Sequence, residues 1–247
     1  MSDIKTEKIS LDVSDGTQMG AYVSRPNDDK KHPGIMVIQE AFGVNHHIRD
    51  VADRFANLGY VAIAPEMFHR SAPGFERGYE SFDPVLPHVK ALTVPGIEAD
   101  VRAAHNWLVN DSATKPDNLA CIGYCLGGRA AYIANSALPL KAAISYYGGG
   151  IAEASLGDGG KIPGILDRVK DLNAPMLFFW GGLDNHIPPQ QRRAVADALT
   201  EAGKSFVDVV FSKADHGFFC DERPSFNPQA ASESWALVLA FLKNNMQ

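Results

Sequence analysis

Apolar and polar positions along this chain fall into blocks that switch between short continuous runs and a helical period. "ISLDVSDGTQMGAYVSRP" (9–26) reads as two strands joined at Asp15-Gly16, a dipeptide suited to a tight hairpin turn. "GIMVIQE" (34–40) is the unbroken apolar run expected of a buried parallel strand. In "NHHIRDVADRFANLG", Ile48, Val51, Ala52, Phe55 and Leu58 share one helical face, between a capping Asn45 and a terminating Gly59. A strand over "YVAIAPEMF" and a helix over "PGIEADVRAAHNWLVND" (95–111) follow. The alternation continues through strand "LACIGYC", helix "GGRAAYIANSA", strand "KAAISYYGG", a helix around 164–172 and strand "PMLFFWGGLD". Helix "PQQRRAVADALTEAG", strand "SFVDVVFS" and helix "ASESWALVLAFLKN" complete it.

Strand and helix in strict alternation predict an α/β fold: a mainly parallel sheet with helices on both faces, spanning residues 1–247 as one domain. Ligands of such sheets bind outside the carboxyl ends of the strands. Residues 69–94, rich in proline, glycine and charge, are the one long irregular stretch. Long loops in compact domains tend to be functional, so a lid or pocket wall is expected there.

Composition narrows the function. The chain has 247 residues and a net charge of −6, with no basic run, which argues against a nucleic-acid partner. No apolar stretch is long enough to span a membrane, and the first ten residues are too polar for a secretory leader. Cys121, Cys125 and Cys220 cannot all pair, and their spacing matches no zinc motif, so a reducing cytoplasmic setting is expected. No phosphate, dinucleotide or metal motif is present, and no cofactor is expected. An anionic substrate would need a local arginine or lysine to offset the overall negative field.

Within "GYCLGG" (123–128), Cys125 sits where a strand meets a helix, flanked two positions either side by Gly123 and Gly127. That is the arrangement of a nucleophile elbow, whose turn is too tight for larger neighbours. The following helix N-terminus offers unpaired N–H groups and a positive dipole end, which favour a thiolate. A lone cysteine is more often a small buried side chain; strand, glycines and helix together reverse that balance. A base and an orienting acid are then required, and in α/β-hydrolases they follow the nucleophile as acid, then histidine. Asp184 in "WGGLDNHIPP" and His216 in "KADHGFF" satisfy that order, each just beyond a strand. His186 is adjacent to the acid but precedes a helix, and Asp215 is expected to bond its own loop. His46 and His47 begin a helix and are expected to be partly exposed, while His32, His69, His88 and His105 lack a strand-end context.

Glu40 is an awkward residue at the end of a central strand, since a buried carboxylate needs a partner. It reads either as a salt-bridge member or as a hydrogen-bond partner or proton acceptor for the Cys125 thiol. The N–H groups of Ala41 and Leu126 occupy the two places from which this fold builds an oxyanion hole.

The segments "QEAFGVNHHIRDVADRFANLGYVAIAPEMF", "IGYCLGGR", "WGGLDNHIP" and "DHGF" resemble, in order, those of the dienelactone hydrolase family, also called carboxymethylenebutenolidases. The resemblance runs from about residue 8 to 245 and implies a single-domain α/β-hydrolase fold. It also implies a Cys125–His216–Asp184 triad acting on a carboxylated enol lactone. Within that likeness the resting thiol bonds Glu40, and substrate binding frees it to ionise towards the histidine. Arginines in the mid-chain loop and after the histidine would hold the substrate carboxylate; here Arg77, with Arg70 as second choice, and Arg223 take those places. Where the lactone enzymes carry an arginine closely following the histidine, this chain has Cys220, and "RPSF" follows further on, as in divergent members. Tyr124 is expected to line the pocket, whereas Phe42 and Trp180 read equally as core.

Three other readings compete. The same triad would serve a broad carboxylesterase indifferent to a substrate carboxylate. A non-catalytic binding scaffold would show a damaged elbow or triad, and none is visible. A redox-sensing thiol would need a resolving cysteine close to Cys125.

Overall fold

The computed structural model describes residues 3–155 and 161–246. Ten strands and six α-helices form in the order β1 (Ile4–Asp12), β2 (Gln18–Pro26), β3 (His32–Ile38), α1 (His46–Asn57), β4 (Val61–Pro65), α2 (Leu86–Ala91), α3 (Val94–Asn110) and β5 (Thr114–Tyr124). There follow α4 (Leu126–Ala137), β6 (Ala142–Tyr146), β7 (Ala154–Ser155), β8 (Lys161–Ile162), β9 (Met176–Gly181), α5 (Pro189–Glu201), β10 (Phe206–Phe211) and α6 (Pro228–Asn245). Eight strands make one sheet in the order β1-β2-β4-β3-β5-β6-β9-β10, and β7 pairs with β8 apart from it. The hairpin β1–β2 and the β2–β4 pair are antiparallel, and every other pair in the large sheet is parallel.

The expected alternation is therefore what folds, and its physical basis is visible helix by helix. The Asn45 side chain accepts the Ile48 N–H and starts α1, and Gly59, at φ +90°, lets the chain turn back after it. Ile48, Val51, Ala52 and Phe55 are fully buried, and each of the larger three contributes roughly 1.5–3 kcal/mol through burial. Leu58 departs from the expected face: it is the C-cap residue, already off the helical period, and 47% exposed. Helix α1 packs with α6 on one side of the sheet, where the Phe55 and Trp235 rings lie 5.0 Å apart. Helices α3 and α4 pack together on the other side. The segment expected as a helix at 164–172 is a 3₁₀ turn, Leu166–Asp171.

The irregular stretch 69–94 contains one element that periodicity did not reveal, the short helix α2. Its entry is fixed by a buried charge cluster. Asp100, fully buried on α3, accepts His69 Nε2 at 3.0 Å and both Arg70 amino groups at 2.8 and 2.9 Å. Arg70 also bonds Asp15 at the β1–β2 turn. Arg70 is thus committed to anchoring the loop, which corrects its second-choice assignment to a substrate carboxylate. Further along, Phe75, Tyr79, Val85 and Val89 pack over Ala41 and Phe42, just past the end of β3.

Asp100→Ala would leave Arg70 and His69 facing a void in the interior. Urea unfolding is expected to show a loss of about 3–5 kcal/mol, the range for breaking a buried pair by removing one partner. Unchanged stability would mean that water already serves this cluster.

Candidate active site

The strand β5 ends at Tyr124 and α4 begins at Leu126, so Cys125 alone makes the turn between them. It adopts φ 54°, ψ −111°, a conformation that L-residues avoid and that costs on the order of 1–3 kcal/mol. The turn closes only because its neighbours lack side chains. A Cβ at Gly123 would collide with the Gly127 carbonyl, and one at Gly127 would collide with the Ile38 carbonyl and lie 2.7 Å from that of Gln39. The start of α4 therefore rests directly on the end of β3. The last paired residues of β3 and β5 are Ile38 and Gly123, which sets Glu40 and Ala41 beside Cys125 and Leu126. The Cys125 N–H bonds the Tyr146 carbonyl at 2.9 Å, pinning the elbow to β6 as well.

His216 and Asp184 arrive from the loops after β10 and β9. His216 Nδ1 lies 2.8 Å from Asp184 Oδ2, and the Cys125 side chain is close enough to the imidazole to influence its charge. The second Asp184 oxygen accepts the N–H groups of His186 and Ile187 at 2.8 and 3.2 Å, which holds the carboxylate in place. Burial opposes ionisation of Asp184, but His216 and these donors hold its pKa below the usual value. Burial likewise works against charge on His216. The charge of Cys125 and the bond to Asp184 outweigh it and push the imidazole up to about 10. Asp184 and His216 are thus directly bonded, with the Cys125 sulfur near the imidazole. His186 contributes its backbone and an edge-on ring 5.3 Å from His216, and Asp215 caps its own loop through the His216 N–H.

Leu126 opens α4, so its N–H has no acceptor within the helix, and no turn or loop carbonyl engages the N–H of Ala41 or Leu126. Both belong to residues next to the elbow, one at the end of β3 and one at the start of α4.

Glu40 is fully buried, and its Oε1 accepts Arg223 Nη1 at 3.2 Å while Oε2 has no partner. The expected thiol bond is replaced by this ion pair: a buried carboxylate gains far more from a guanidinium than from a neutral S–H. Arg223 is 18% exposed and lies against the Phe42 and Tyr79 rings, 5.7 and 5.4 Å from their centres. Its Nε would lie 2.6 Å from a Cβ at Gly217, so the guanidinium packs on the backbone next to His216. Burial disfavours its charge, but Glu40 more than restores it. Arg77 reaches the same region by its backbone, donating to the Phe42 carbonyl at 3.0 Å, while its exposed guanidinium lies over Phe75.

Two expectations fail on burial. Tyr124 is completely enclosed, stacked between Tyr146 and Phe219 at 4.9 and 5.3 Å, and lines no accessible wall. Burial raises its pKa far above the ordinary tyrosine value. His47 is 1% exposed rather than partly exposed, because its ring turns in against Tyr124 and Phe219. Sequence patterning also gave no sign of Tyr79, which joins the site only because the loop folds back over Phe42, 4.6 Å away. Phe42 and Trp180 are core-packed, as one of their two readings had it.

The chain was compared with known proteins. The model of the dienelactone hydrolase family matches residues 19–246. A Synechocystis protein named "Putative carboxymethylenebutenolidase" is 34% identical over 247 residues, covering 99% of each chain. A solved structure described as a "Putative Dienelactone Hydrolase" from Klebsiella pneumoniae superposes with a TM-score of 0.86 at 32% identity, covering 98% of this chain and 99% of that one. A Bradyrhizobium protein named "Probable 2-oxo-3-(5-oxofuran-2-ylidene)propanoate lactonase" is 27% identical, covering 96% of each chain.

Two outcomes are expected. Gly127→Ala should lower stability by about 1–3 kcal/mol in thermal or urea unfolding, since the added methyl must push β3 and α4 apart. The raised His216 value also fixes a sign. Folding favours the protonated imidazole, so its contribution is full below the ordinary 6.5 and is lost as pH rises through about 10. In Cys125→Ala, NMR titration should place the His216 midpoint clearly lower, with the alkaline loss of stability moving the same way. An unmoved midpoint would separate the two side chains.

Proposed function

The chain belongs to the dienelactone hydrolase family and is a hydrolase of ester or lactone bonds, and on that premise we propose that it opens a small carboxylated lactone of the dienelactone type through a cysteine triad. The observation that carries the proposal is the Asp184–His216 hydrogen bond brought close to a cysteine held on a strained elbow.

In this mechanism His216 takes the Cys125 proton, and the thiolate attacks the lactone carbonyl. The tetrahedral oxyanion lies between the N–H groups of Ala41 and Leu126, where loss of one donor typically costs on the order of 10²–10³ in rate. Collapse breaks the ring C–O bond and releases a stabilised enolate, which takes the proton held by His216 and leaves the imidazole neutral. His216 then draws a proton from water, the hydroxide adds to the thioester, and the acid departs with Cys125 restored. Asp184 holds the imidazole in the required orientation throughout. The 69–94 segment closes over the site through Phe75 and Tyr79.

Arg223 is the carboxylate receptor of this scheme, with Arg77 at the outer edge. Support comes from its position beside His216 and its partial exposure at the mouth of a buried pair. The Bradyrhizobium relative, named for a lactone that bears a propanoate group, points the same way. A second reading, a broad carboxylesterase, draws on the same ion pair: Glu40 already neutralises Arg223 and could leave nothing for a substrate anion.

Steady-state kinetics on cis- and trans-dienelactone against p-nitrophenyl acetate separate the two. A much higher kcat/KM on a dienelactone, lost in Cys125→Ala, is expected. Arg223→Gln should lower kcat/KM on the lactone by roughly 10- to 100-fold, matching loss of a charge-assisted bond of about 1.5–3 kcal/mol, and far less on the neutral ester. Equal losses on both substrates, or a preference for the neutral ester, would favour the esterase. Activity retained in Cys125→Ala would remove the triad.

A further inference from the structure

His47, the second residue of α1, is buried to 1% exposure, and neither of its ring nitrogens has a hydrogen-bond partner. Its ring neighbours, Tyr124 and Phe219, contact it through their faces and edges and offer it no acceptor. An imidazole stripped of water with both nitrogens idle is costly, and buried polar groups left this way call for an explanation. Close beside it is the turn that follows His216. One ligand atom each from His47, Cys220 and Asp221 lies within 4.8 Å of the other two, and His47 Nδ1 is 4.0 Å from Asp221 Oδ1. Cys220 is fully buried and unpaired as a disulfide, whereas Asp221 is 59% exposed on its side chain and opens the cluster to solvent.

We propose that His47, Cys220 and Asp221 form a binding site for a zinc-class divalent cation, separate from the hydrolytic residues. One imidazole nitrogen, one sulfur and one carboxylate oxygen are a borderline-soft set that suits Zn²⁺ and not the all-oxygen coordination of Mg²⁺ or Ca²⁺. Bond lengths of about 2.0–2.3 Å around tetrahedral zinc require ligand atoms closer together than they now stand. Rotation of the exposed Asp221 side chain brings its carboxylate in, the His47 ring and Cys220 sulfur have to draw together by small side-chain shifts, and the solvent side leaves the fourth position to water. On binding, Cys220 S–H loses its proton to solvent and a metal–sulfur bond forms as the ion gives up waters. The thiolate and the Asp221 carboxylate then balance the ion's two positive charges. The nearby charges are mixed: Glu40, Asp221 and Glu222 are offset by Arg54 and by Arg223, which already pairs with Glu40.

The site has a structural consequence for its neighbour. The Arg223 N–H bonds the Cys220 carbonyl at 3.2 Å, so the turn that would grip the ion is the one that presents Arg223 to Glu40. An ion there ties the N-terminus of α1 to that turn, beside the exposed His46–Glu222 contact.

The test uses Co²⁺ as the probe on chelator-treated full-length protein. One equivalent should bind with a sulfur-to-cobalt charge-transfer band in the near ultraviolet, displaced by Zn²⁺. Cys125→Ala should keep the band, whereas Cys220→Ser and His47→Gln should both lose it, each checked for an unchanged far-UV circular dichroism spectrum. No stoichiometric binding would overturn the proposal. A band that survives Cys220→Ser and vanishes in Cys125→Ala would place the ion on the candidate nucleophile and overturn it equally.

Discussion

The absence of side chains at Gly123 and Gly127 allows the first turn of α4 to lie against the end of β3, and the candidate site depends on that contact. It forces Cys125 into a backbone conformation that a residue inside a strand or helix never adopts. The same closeness brings the backbone of Glu40 and Ala41, just past the end of β3, beside the Cys125–Leu126 turn. Spreading the two elements by the width of a methyl group would separate all of these at once. The local strain is held because parallel pairing with β3 and β6 on both sides of β5 over-determines the position of the turn.

Around this geometric constraint lies an electrostatic one. Asp184, His216 and Cys125, which grade from buried to half-buried, lie close to a buried Glu40 paired with a partly exposed Arg223. Each member is costly alone in a poorly hydrated interior, and each is stabilised by its neighbour. Glu40 is the least settled of them, with one oxygen unpaired while His47, Tyr79, Tyr124 and Tyr147 nearby also leave polar atoms without partners. Polar groups idle on this scale are unusual in a native interior and concentrate where ligands or waters are to be accommodated. The loop over 69–94 gives the region its roof, and the roof is anchored far from the chemistry, through Arg70 and His69 on Asp100.

Much of this was legible in the chain itself. Hydrophobic period is a local property, so strands, helices and the parallel sheet could be read from neighbours a few residues apart, and the elbow glycines bracket Cys125 within five positions. The order of nucleophile, acid and histidine is also carried by the linear chain. Expectations failed where the deciding partner was remote in sequence. Of the two readings of Glu40, a salt bridge and a bond to a thiol 85 positions away, the first holds through Arg223, 183 positions away, because a guanidinium binds a buried carboxylate more strongly than an S–H does. Arg70 and Tyr124 read as possible substrate contacts by position, but an ion-pair cluster and an aromatic stack claim them.

By itself, then, the sequence determined the α/β architecture, the family and the candidate side chains for the chemistry, because each is written in short-range pattern and residue type. Only the tertiary structure decided which of those side chains meet. The approach of His47 to Cys220, and the pairing of Glu40 with Arg223, depend on how α1, the end of β3 and the loop after β10 converge. That convergence is set by packing across the whole sheet and leaves no periodic trace along the chain.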